Sequence, residues 1–458
     1  MSSNLDSPQQ ETPAAVRDEI LPTFPPDFIF GAATSAYQIE GCTDRECYGR
    51  GPSIWDTYFQ NRPWMDHGAI AADHYSWMAE DVALMADLKL DSYRFSVAWP
   101  RILPEGRGVI NRKGLDFYER LIDELLRNGI VPNLTLYHWD LPQAMQDIGG
   151  WCERDVALYF ADYAAIIARA LGDRVPMWAT LNEPEVIVSG YIGRDLAPGF
   201  GDRSLRMRVI HTLLLAHGFG VQALRSVLPS TQQVGMVVNL VPIDPLTESA
   251  AGAAESRWMR DYAIYLEAMF RGAYPVEVAD EIARHDVEIL AGDMALIAAA
   301  IDFLGVNWYL RLVVDEHDRL VEVPNVARTL MGWEIRAEAL TRTLTRIAQD
   351  YRLPPIYITE NGAALADAME NGTIEDGGRI AYLADHLAAI ASAIEAGVSV
   401  KGYYVWSLFD NLEWSLGFKK TFGIVHVDRE TLVRTPKESA KWYRRVIEQH
   451  RLQAPLRA

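Results

Sequence analysis

The sequence predicts an α/β protein, a single (β/α)8 TIM barrel with elaborated loops at the C-terminal face of the barrel. Eight short segments rich in apolar, β-branched or aromatic residues recur along the 458 residues. Most of them are followed by longer stretches with helical periodicity. The segments are almost continuously apolar, which is typical of parallel strands that helices cover on both faces. Eight such units favour closure into a barrel.

The eight predicted strands follow one another at intervals that leave room for a helix between most of them. They are FIFGAAT from Phe28, SYRFSVAW from Ser92, PNLTLYHW from Pro132, PMWATLNEP from Pro176, QVGMVVN from Gln233, DFLGVNWY from Asp302, IYITENG from Ile356 and GYYVWSLFD from Gly402. A doubly wound open sheet is the alternative, and it usually carries a glycine-rich first turn. The stretch EGRGVINRKG has the wrong glycine spacing for that turn.

One strand-helix-strand unit illustrates the pattern. Apolar residues between Leu115 and Leu126 recur at helical spacing, and Gly129 is suited to end that helix. The next predicted strand begins almost at once, at Pro132. The pattern therefore predicts a helix that connects two neighbouring parallel strands.

We expect one barrel domain at 21–450, flanked by a flexible N-terminal tail at 1–20 and a C-terminal tail at 451–458. The N-terminal stretch lacks the basic start and the apolar segment of a secretion signal. No window approaches about 18 consecutive apolar residues, the length of a transmembrane helix. These features predict a cytoplasmic protein with no membrane partner.

The net charge and the number of cysteines argue against two classes of protein, those that bind nucleic acid and those held together by disulfides. The chain has 43 basic and 62 acidic residues, a net charge of -19 that disfavours binding to nucleic acid. Its cysteines are Cys42, Cys47 and Cys152. Three is a small and odd number, which does not suit a disulfide framework. Cys42 and Cys47 are close enough in sequence for a local bridge, but we favour free thiols.

Polar residues follow two of the predicted strands at the point where a barrel places its active site. The fourth strand ends on Asn182-Glu183-Pro184 and the seventh on Glu360-Asn361-Gly362. Taken alone, the second motif is explained as well by a polar turn. Together, the two motifs bring two carboxyl groups to the C-terminal opening of the barrel. Glycoside hydrolysis needs at least such a pair of carboxyl groups. Arg94 is either a cation that keeps one carboxylate ionised or part of a structural ion pair.

Nine motifs occur along the chain in a fixed order: FIFGAATSAYQIEG, GPSIWDTY, YRFSVAWPRI, LYHWDLPQ, TLNEP, DFLGVNWY, YITENG, GYYVWSLFDNLEW and FGIVHVD. With these motifs the chain resembles, from about Phe24 to Tyr443, glycoside hydrolase family 1, the β-glucosidase family of retaining (β/α)8-barrel enzymes. Two positions depart from the pattern: the stretch after the first strand is unusually rich in cysteine, and Thr421 stands where a basic residue is usual.

The resemblance implies a role for each matching residue. Glu183 is the expected general acid/base and Glu360 the expected nucleophile, with Arg94 and Tyr309 supporting the nucleophile. Asn182 is expected to bind the sugar 2-hydroxyl, and Trp406 to form the platform beneath the ring. The remaining expected substrate-binding residues are Gln38, His138, Trp139, Asn307, Glu413, Trp414 and Phe422.

The resemblance also implies the reaction, hydrolysis of terminal non-reducing β-D-glucosyl residues through a covalent glycosyl-enzyme, with activity on β-galactosides and β-fucosides. Expected partners are β-glucosides or short β-linked oligosaccharides, and cellulose degradation is an expected role; homo-oligomers are left open. No cofactor or metal is expected, and none of the 10 His forms an HxH or HExxH pattern.

Three other functions compete with a hydrolytic β-glucosidase. Glu413 argues against a 6-phospho-β-glycosidase, and the adjacent Lys419 and Lys420 fit a surface turn. The presence of both carboxylates argues against an inactive sugar-binding barrel, whereas transglycosylation stays open. Arg194 and Asp195 either line the entrance or pair with each other at the surface.

Overall fold

The computed structural model describes residues 22–370 and 372–453. The predicted N-terminal tail at 1–20 lies outside these residues. The last helix, Glu438–Gln453, extends three residues into the predicted C-terminal tail, and residues 454–458 lie outside the described part of the chain.

Eight parallel strands close into a barrel, which confirms the predicted fold class. Neighbouring strands follow chain order around the barrel, and the first pairs with the last. The strands are β1 (Ile29–Ala33), β2 (Ser92–Ser96), β3 (Val131–Tyr137), β4 (Met177–Asn182), β5 (Gln233–Asn239), β6 (Phe303–Asn307), β7 (Ile356–Asn361) and β8 (Val400–Trp406). Every predicted segment therefore contributes one strand of the barrel.

Helices separate the strands and cover the outside of the barrel. The longer helices are His74–Asp87, Arg112–Arg127, Arg154–Leu171, Pro184–Ile192, Arg206–Val227, Ala251–Trp258, Ile264–Arg271, Ala337–Asp350, Gly377–Glu395 and Glu438–Gln453. Shorter helices are Ala36–Ile39, Arg45–Tyr48, Ile54–Gln60, Trp99–Ile102, Gln143–Asp147, Ala279–Arg284 and Asp293–Ile297. A π-helical stretch, Met259–Ala263, joins two of the longer helices.

Within the described ranges, three small two-stranded sheets lie outside the barrel. They pair Ile243–Pro245 with Leu312–Val314, Met369–Glu370 with Thr373–Ile374, and Val425–Val427 with Arg434–Pro436. The first of these joins the chain just after β5 to the chain just after β6, so it ties together two loops at the C-terminal end of the barrel.

The helix Arg112–Arg127 shows why the local sequence folds as predicted. Leu115, Leu121 and Leu125 are buried against the barrel, while Leu126 is 42% exposed. Gly129 follows the helix with a φ of 72°, a left-handed conformation that glycine adopts without steric cost. The helix therefore ends where the sequence pattern places its end.

The barrel interior is filled by large side chains beneath the C-terminal face. Met177, Phe303, Tyr357 and Tyr404 belong to one buried cluster that also contains Trp406. A second and larger cluster fills the layer between strands and helices. The interior cluster gives the C-terminal end of the barrel a solid floor, as expected for a barrel whose centre is packed and not a channel.

Strand pairing is irregular close to the two predicted catalytic carboxyls. The register between β4 and β5 shifts between Ala179 and Asn182, and the register between β6 and β7 shifts just before Asn307 pairs with Glu360. Such irregularities change the direction in which side chains leave a strand. They occur here at the ends of the strands that carry the polar motifs.

Cys42, Cys47 and Cys152 are all free thiols, so no bridge joins Cys42 to Cys47. In the described part of the chain, no helix combines the length and the apolar character that crossing a bilayer requires.

Candidate active site

Glu183 and Glu360 lie in one pocket at the C-terminal end of the barrel. Glu360 is the next-to-last residue of β7, and Glu183 follows the last residue of β4. Both side chains are buried, and both line a cavity of about 230 Å³. The structure thus brings together two carboxyl groups that are far apart in sequence.

Glu360 is held by two donors. Arg94 Nη1 on β2 donates to Glu360 Oε1 at 2.6 Å, and the Tyr309 hydroxyl donates to Glu360 Oε2 at 2.7 Å. Burial raises the pKa of Glu360, while the Arg94 cation and the hydrogen bonds from Arg94 and Tyr309 lower it. Each oxygen of this carboxyl therefore has a partner that favours the ionised form.

Glu183 lies in a different environment. Asn307 Nδ2 donates to Glu183 Oε1 at 2.8 Å, but no cation pairs with this carboxyl among the described residues. Burial raises the pKa of Glu183 well above its ordinary value, and the neighbouring carboxyls of Glu360 and Glu185 raise it further. Burial raises the pKa of both carboxyls, but the cation and the hydrogen bonds oppose the rise more strongly at Glu360, so Glu183 keeps its proton to higher pH.

A chain of hydrogen bonds links the two carboxyls behind the pocket wall. Arg94 Nη2 donates to Asn182 Oδ1 at 2.6 Å, and the same oxygen accepts from Asn307 Nδ2 at 3.1 Å. Asn307 Oδ1 accepts from the Thr359 hydroxyl at 2.7 Å. Because Arg94 only donates, these contacts fix the orientation of the Asn182 amide.

The amide of Asn182 in turn sets the tautomer of His138. Asn182 Nδ2 lies 3.2 Å from His138 Nε2, so this ring nitrogen accepts and the proton resides on Nδ1. Burial, and to a lesser extent the Arg94 charge, lowers the pKa of His138 well below its usual value, so the ring is neutral. Nδ1 is buried and has no hydrogen-bond partner among the described residues. Its hydrogen therefore has no acceptor within the described part of the chain.

Aromatic rings form much of the pocket wall. The rings of Trp139 and Trp414 lie 4.7 Å apart, and that of His138 stacks 5.8 Å from Trp406. Trp139, Glu183 and Trp414 have positive φ angles of 76°, 49° and 47°. Non-glycine residues rarely adopt this conformation, and those that do are concentrated at functional sites.

Nine of the thirteen predicted site residues line the pocket, and four lie outside its wall. The nine are His138, Trp139, Glu183, Tyr309, Glu360, Trp406, Glu413, Trp414 and Phe422. Arg94, Asn182 and Asn307 are buried directly behind the carboxyls. Gln38 is also buried, and its amide donates to Asn411 and to the Leu412 carbonyl, so its contact with substrate stays a prediction.

The sequence model that describes glycosyl hydrolase family 1 matches residues 21–452 of this chain. The chain belongs to glycosyl hydrolase family 1. This finding confirms the resemblance that the motifs indicate.

Relatives in the family are similar along nearly their whole length. Beta-glucosidase A of Thermotoga maritima is 42% identical over 444 residues, which cover 94% of this chain and 99% of that protein. A bifunctional β-D-glucosidase/β-D-fucosidase of Bifidobacterium breve is 40% identical over 460 residues, which cover 93% of this chain and 98% of that protein. The solved structure of Thermotoga maritima β-glucosidase with deoxynojirimycin has a TM-score of 0.90 at 40% identity, covering 94% of this chain and 99% of that one.

Several pocket residues of this family 1 chain were not predicted. Asn239 is the last residue of β5 and lines the pocket, so its strand-end position was a signal that sequence reasoning missed. Leu310, Met331 and Trp333 follow β6 on a long connection, where no pattern marks them. The remaining unpredicted wall residues are Val186, Leu196, Ser415 and Leu416.

The Glu-Asn-Gly motif of this family 1 chain has a steric basis. A Cβ atom on Gly362 would lie 1.6 Å from the carbonyl oxygen of Trp406, far inside contact distance. Only glycine therefore lets the end of β7 pass so close to the end of β8. Asn361 Nδ2 donates to the Trp308 carbonyl at 2.8 Å and fastens the same turn to β6.

Arg194 and Asp195 do not form an ion pair in the described part of this family 1 chain; Asp195 instead lines a second cavity beside the pocket. Within residues 22–370 and 372–453, no group of three or more His, Cys, Asp or Glu side chains is arranged to hold a metal ion.

Proposed function

We propose that the chain is a retaining β-glucosidase that uses Glu360 as nucleophile and Glu183 as general acid/base. One observation carries the proposal: two buried carboxyls share a pocket, yet among the residues that the structure describes only Glu360 is paired with a cation. A retaining glycosidase needs one carboxyl ionised and the other protonated in the resting state. Family membership supports the same assignment.

In the first step, a Glu360 oxygen attacks the anomeric carbon while the glycosidic bond breaks. Glu183 gives its proton to the departing oxygen, so the alcohol leaves neutral and Glu183 becomes ionised. Arg94 and Tyr309 hold the nucleophile in position for this attack. The product is a sugar esterified to Glu360.

In the second step, the ionised Glu183 takes a proton from water, and the resulting hydroxide oxygen bonds to the anomeric carbon. The ester bond breaks and Glu360 is regenerated as a carboxylate. Two displacements at one carbon retain the β configuration. Asn307 Nδ2 donates to Glu183 and so favours the ionised form that the second step requires.

A count of the hydrogen-bond donors and acceptors of Asn182 and His138 supports the predicted sugar contacts. Asn182 Oδ1 already accepts two hydrogen bonds and one of its amide hydrogens faces His138, which leaves one N–H for the sugar 2-hydroxyl. The Nδ1 hydrogen of His138 provides a second free donor. We assign the ring of Trp406 as the platform beneath the sugar, since it lines the same pocket.

The pocket favours a neutral sugar over a 6-phosphate. Burial and the nearby Glu360 raise the pKa of Glu413 to about 8, so at neutral pH this carboxyl can both donate to and accept from hydroxyl groups. No Lys or Arg is among the described residues that line the pocket. Lys420 instead donates to the Leu330 carbonyl, and Lys419 is exposed.

We extend the proposal to β-galactosides and β-fucosides. The name of the Bifidobacterium breve relative, which includes β-D-fucosidase, supports the second of these. The substrates would be small β-glucosides or short β-linked oligosaccharides, and a role in cellulose degradation stays a prediction. A cytoplasmic location and a homo-oligomeric state also stay predictions.

The test of the proposal is chemical rescue. The unaltered protein should hydrolyse an aryl β-glucoside and release β-glucose as the first product. Proton NMR identifies the anomer as it forms. Glu360→Ala should abolish turnover, and added azide should restore it by attacking from the vacated side, giving the α-glucosyl azide. A β-glucosyl azide from Glu360→Ala would overturn the assignment of Glu360 as nucleophile.

A further inference from the structure

A second cavity adjoins the catalytic pocket and is larger than it. Its volume is about 830 Å³, against about 230 Å³ for the pocket, and Leu196 lines both. Four arginines and four acidic residues line this cavity, which we call the charged groove. They are Arg203, Arg206, Arg257, Arg260, Asp195, Asp261, Glu281 and Asp318.

The charged groove extends from the side of the pocket where the leaving group departs. Glu183, which is proposed to protonate the leaving oxygen, precedes the first residue of the helix Pro184–Ile192. Val186 on that helix lines the pocket, whereas Ser189 and Ile192 line the groove. At a rise of about 1.5 Å per residue, these two residues lie about 4.5 Å and about 9 Å beyond Val186 along the helix axis. The groove thus starts within one helical turn of the pocket.

Irregular helix geometry occurs in another wall segment of the groove, distant in sequence from the helix Pro184–Ile192. Arg260 and Asp261 lie in the π-helical stretch Met259–Ala263, and Arg257 lies just before it. Single-turn π segments within α-helices are frequent at functional sites. This wall is therefore a second and independent indication that the groove serves a purpose.

The charges in the groove are balanced but not all paired. Arg206 pairs with Glu281, and Arg260 pairs with both Asp261 and Asp318. Asp195 and Arg203 are exposed and form no ion pair among the described residues. These two side chains are free to accept and to donate hydrogen bonds, respectively.

We infer that the charged groove binds the leaving-group sugars of β-linked glucose oligosaccharides, with Asp195 and Arg203 as hydrogen-bonding partners; this inference rests on the proposed function. Sugar hydroxyls both donate and accept, so they match a surface of alternating carboxylates and guanidinium groups. A large apolar leaving group would instead desolvate those charges without replacing their hydrogen bonds. The groove therefore selects longer saccharides over bulky apolar aglycones.

The experiment compares kcat/KM for glucose oligomers of two to four units, in a β-1,4-linked and a β-1,3-linked series, with kcat/KM for an aryl β-glucoside. In the unaltered protein, kcat/KM should rise with chain length in at least one series. Asp195→Asn and Arg203→Gln should each lower kcat/KM for the tetramer by about tenfold, the loss expected for one charge-assisted hydrogen bond. The aryl β-glucoside, whose leaving group ends in the pocket, should be unaffected.

Matched controls are Asp87→Asn and Arg352→Gln. Both residues are exposed and precede the N-terminal ends of strands, at the far end of the barrel from the groove. A rise with chain length that the groove variants remove and the controls keep supports the inference. The absence of a rise in both series, or a rise that the groove variants leave intact, overturns it. If the unaltered protein fails to hydrolyse the aryl β-glucoside, the proposed function itself is wrong.

Discussion

Replacing Tyr309 with Phe removes one of the two donors that keep Glu360 ionised. The Tyr309 hydroxyl lies 2.7 Å from Glu360 Oε2, and both side chains are buried, so solvent barely screens the contact. A hydrogen bond to a charged group contributes about 1.5–3 kcal/mol. Since one pKa unit corresponds to about 1.4 kcal/mol, its loss should raise the pKa of Glu360 by about 1 to 2 units.

Glu360 must be ionised to attack, so the acidic limb of the kcat/KM profile should move to higher pH in Tyr309→Phe by about the same 1 to 2 units. The assay is kcat/KM against pH for an aryl β-glucoside whose leaving group needs little protonation. Tyr382→Phe is the matched control: its hydroxyl accepts from Asn361 Nδ2 at 3.0 Å, and no hydrogen bond joins it to Glu360 in the described residues. A profile that keeps its acidic limb in Tyr309→Phe, with activity lower at every pH, would refute the reasoning.

Two further predictions concern the other carboxyls of the pocket. Glu183→Ala should slow glycosylation strongly for poor leaving groups and little for activated aryl groups, which pre-steady-state bursts can measure; an equal loss on all leaving groups would contradict the acid role. The pKa of Glu413 is raised by burial from 4.5 to about 8, so the folded protein keeps a proton that the unfolded chain releases, and stability falls as pH rises through that window. Glu413→Gln should therefore raise Tm at pH 8 but not at pH 4.5, and a pH-independent change in Tm would argue against the burial effect.

The barrel could be predicted from the sequence because its strands are buried on both faces. Such strands appear as nearly continuous apolar runs, and each of the eight runs contains a strand of the barrel. The three small sheets were not predicted, since strands of two or three residues leave no periodic signal. The last helix runs past the predicted boundary because nothing in its composition changes at residue 450.

The part of the site that was predicted lies on strand ends. Glu183, Tyr309 and Glu360 lie at or just after the C-terminal ends of barrel strands, whose position in space follows from the fold alone. Met331 and Trp333 lie on the connection after β6, and only the folded loop brings them to the pocket. The charged groove depends on segments separated by more than a hundred residues, including Asp195 and Asp318, so no local pattern could reveal it.

The close approach of Gly362 to the Trp406 carbonyl has a consequence for how this site can change. The segment that carries the proposed nucleophile and the one that carries the proposed sugar platform touch through main-chain atoms, so their separation is independent of side-chain volume in the core. Substitutions that repack the barrel interior should leave the glucose-binding half of the site almost unaltered. The proposed leaving-group half is built from the helix Pro184–Ile192, the loop after it and the segments that carry Arg260 and Asp318, and it can be remodelled separately. The part of the site that carries out the reaction can thereby stay the same while the part that contacts the leaving group changes.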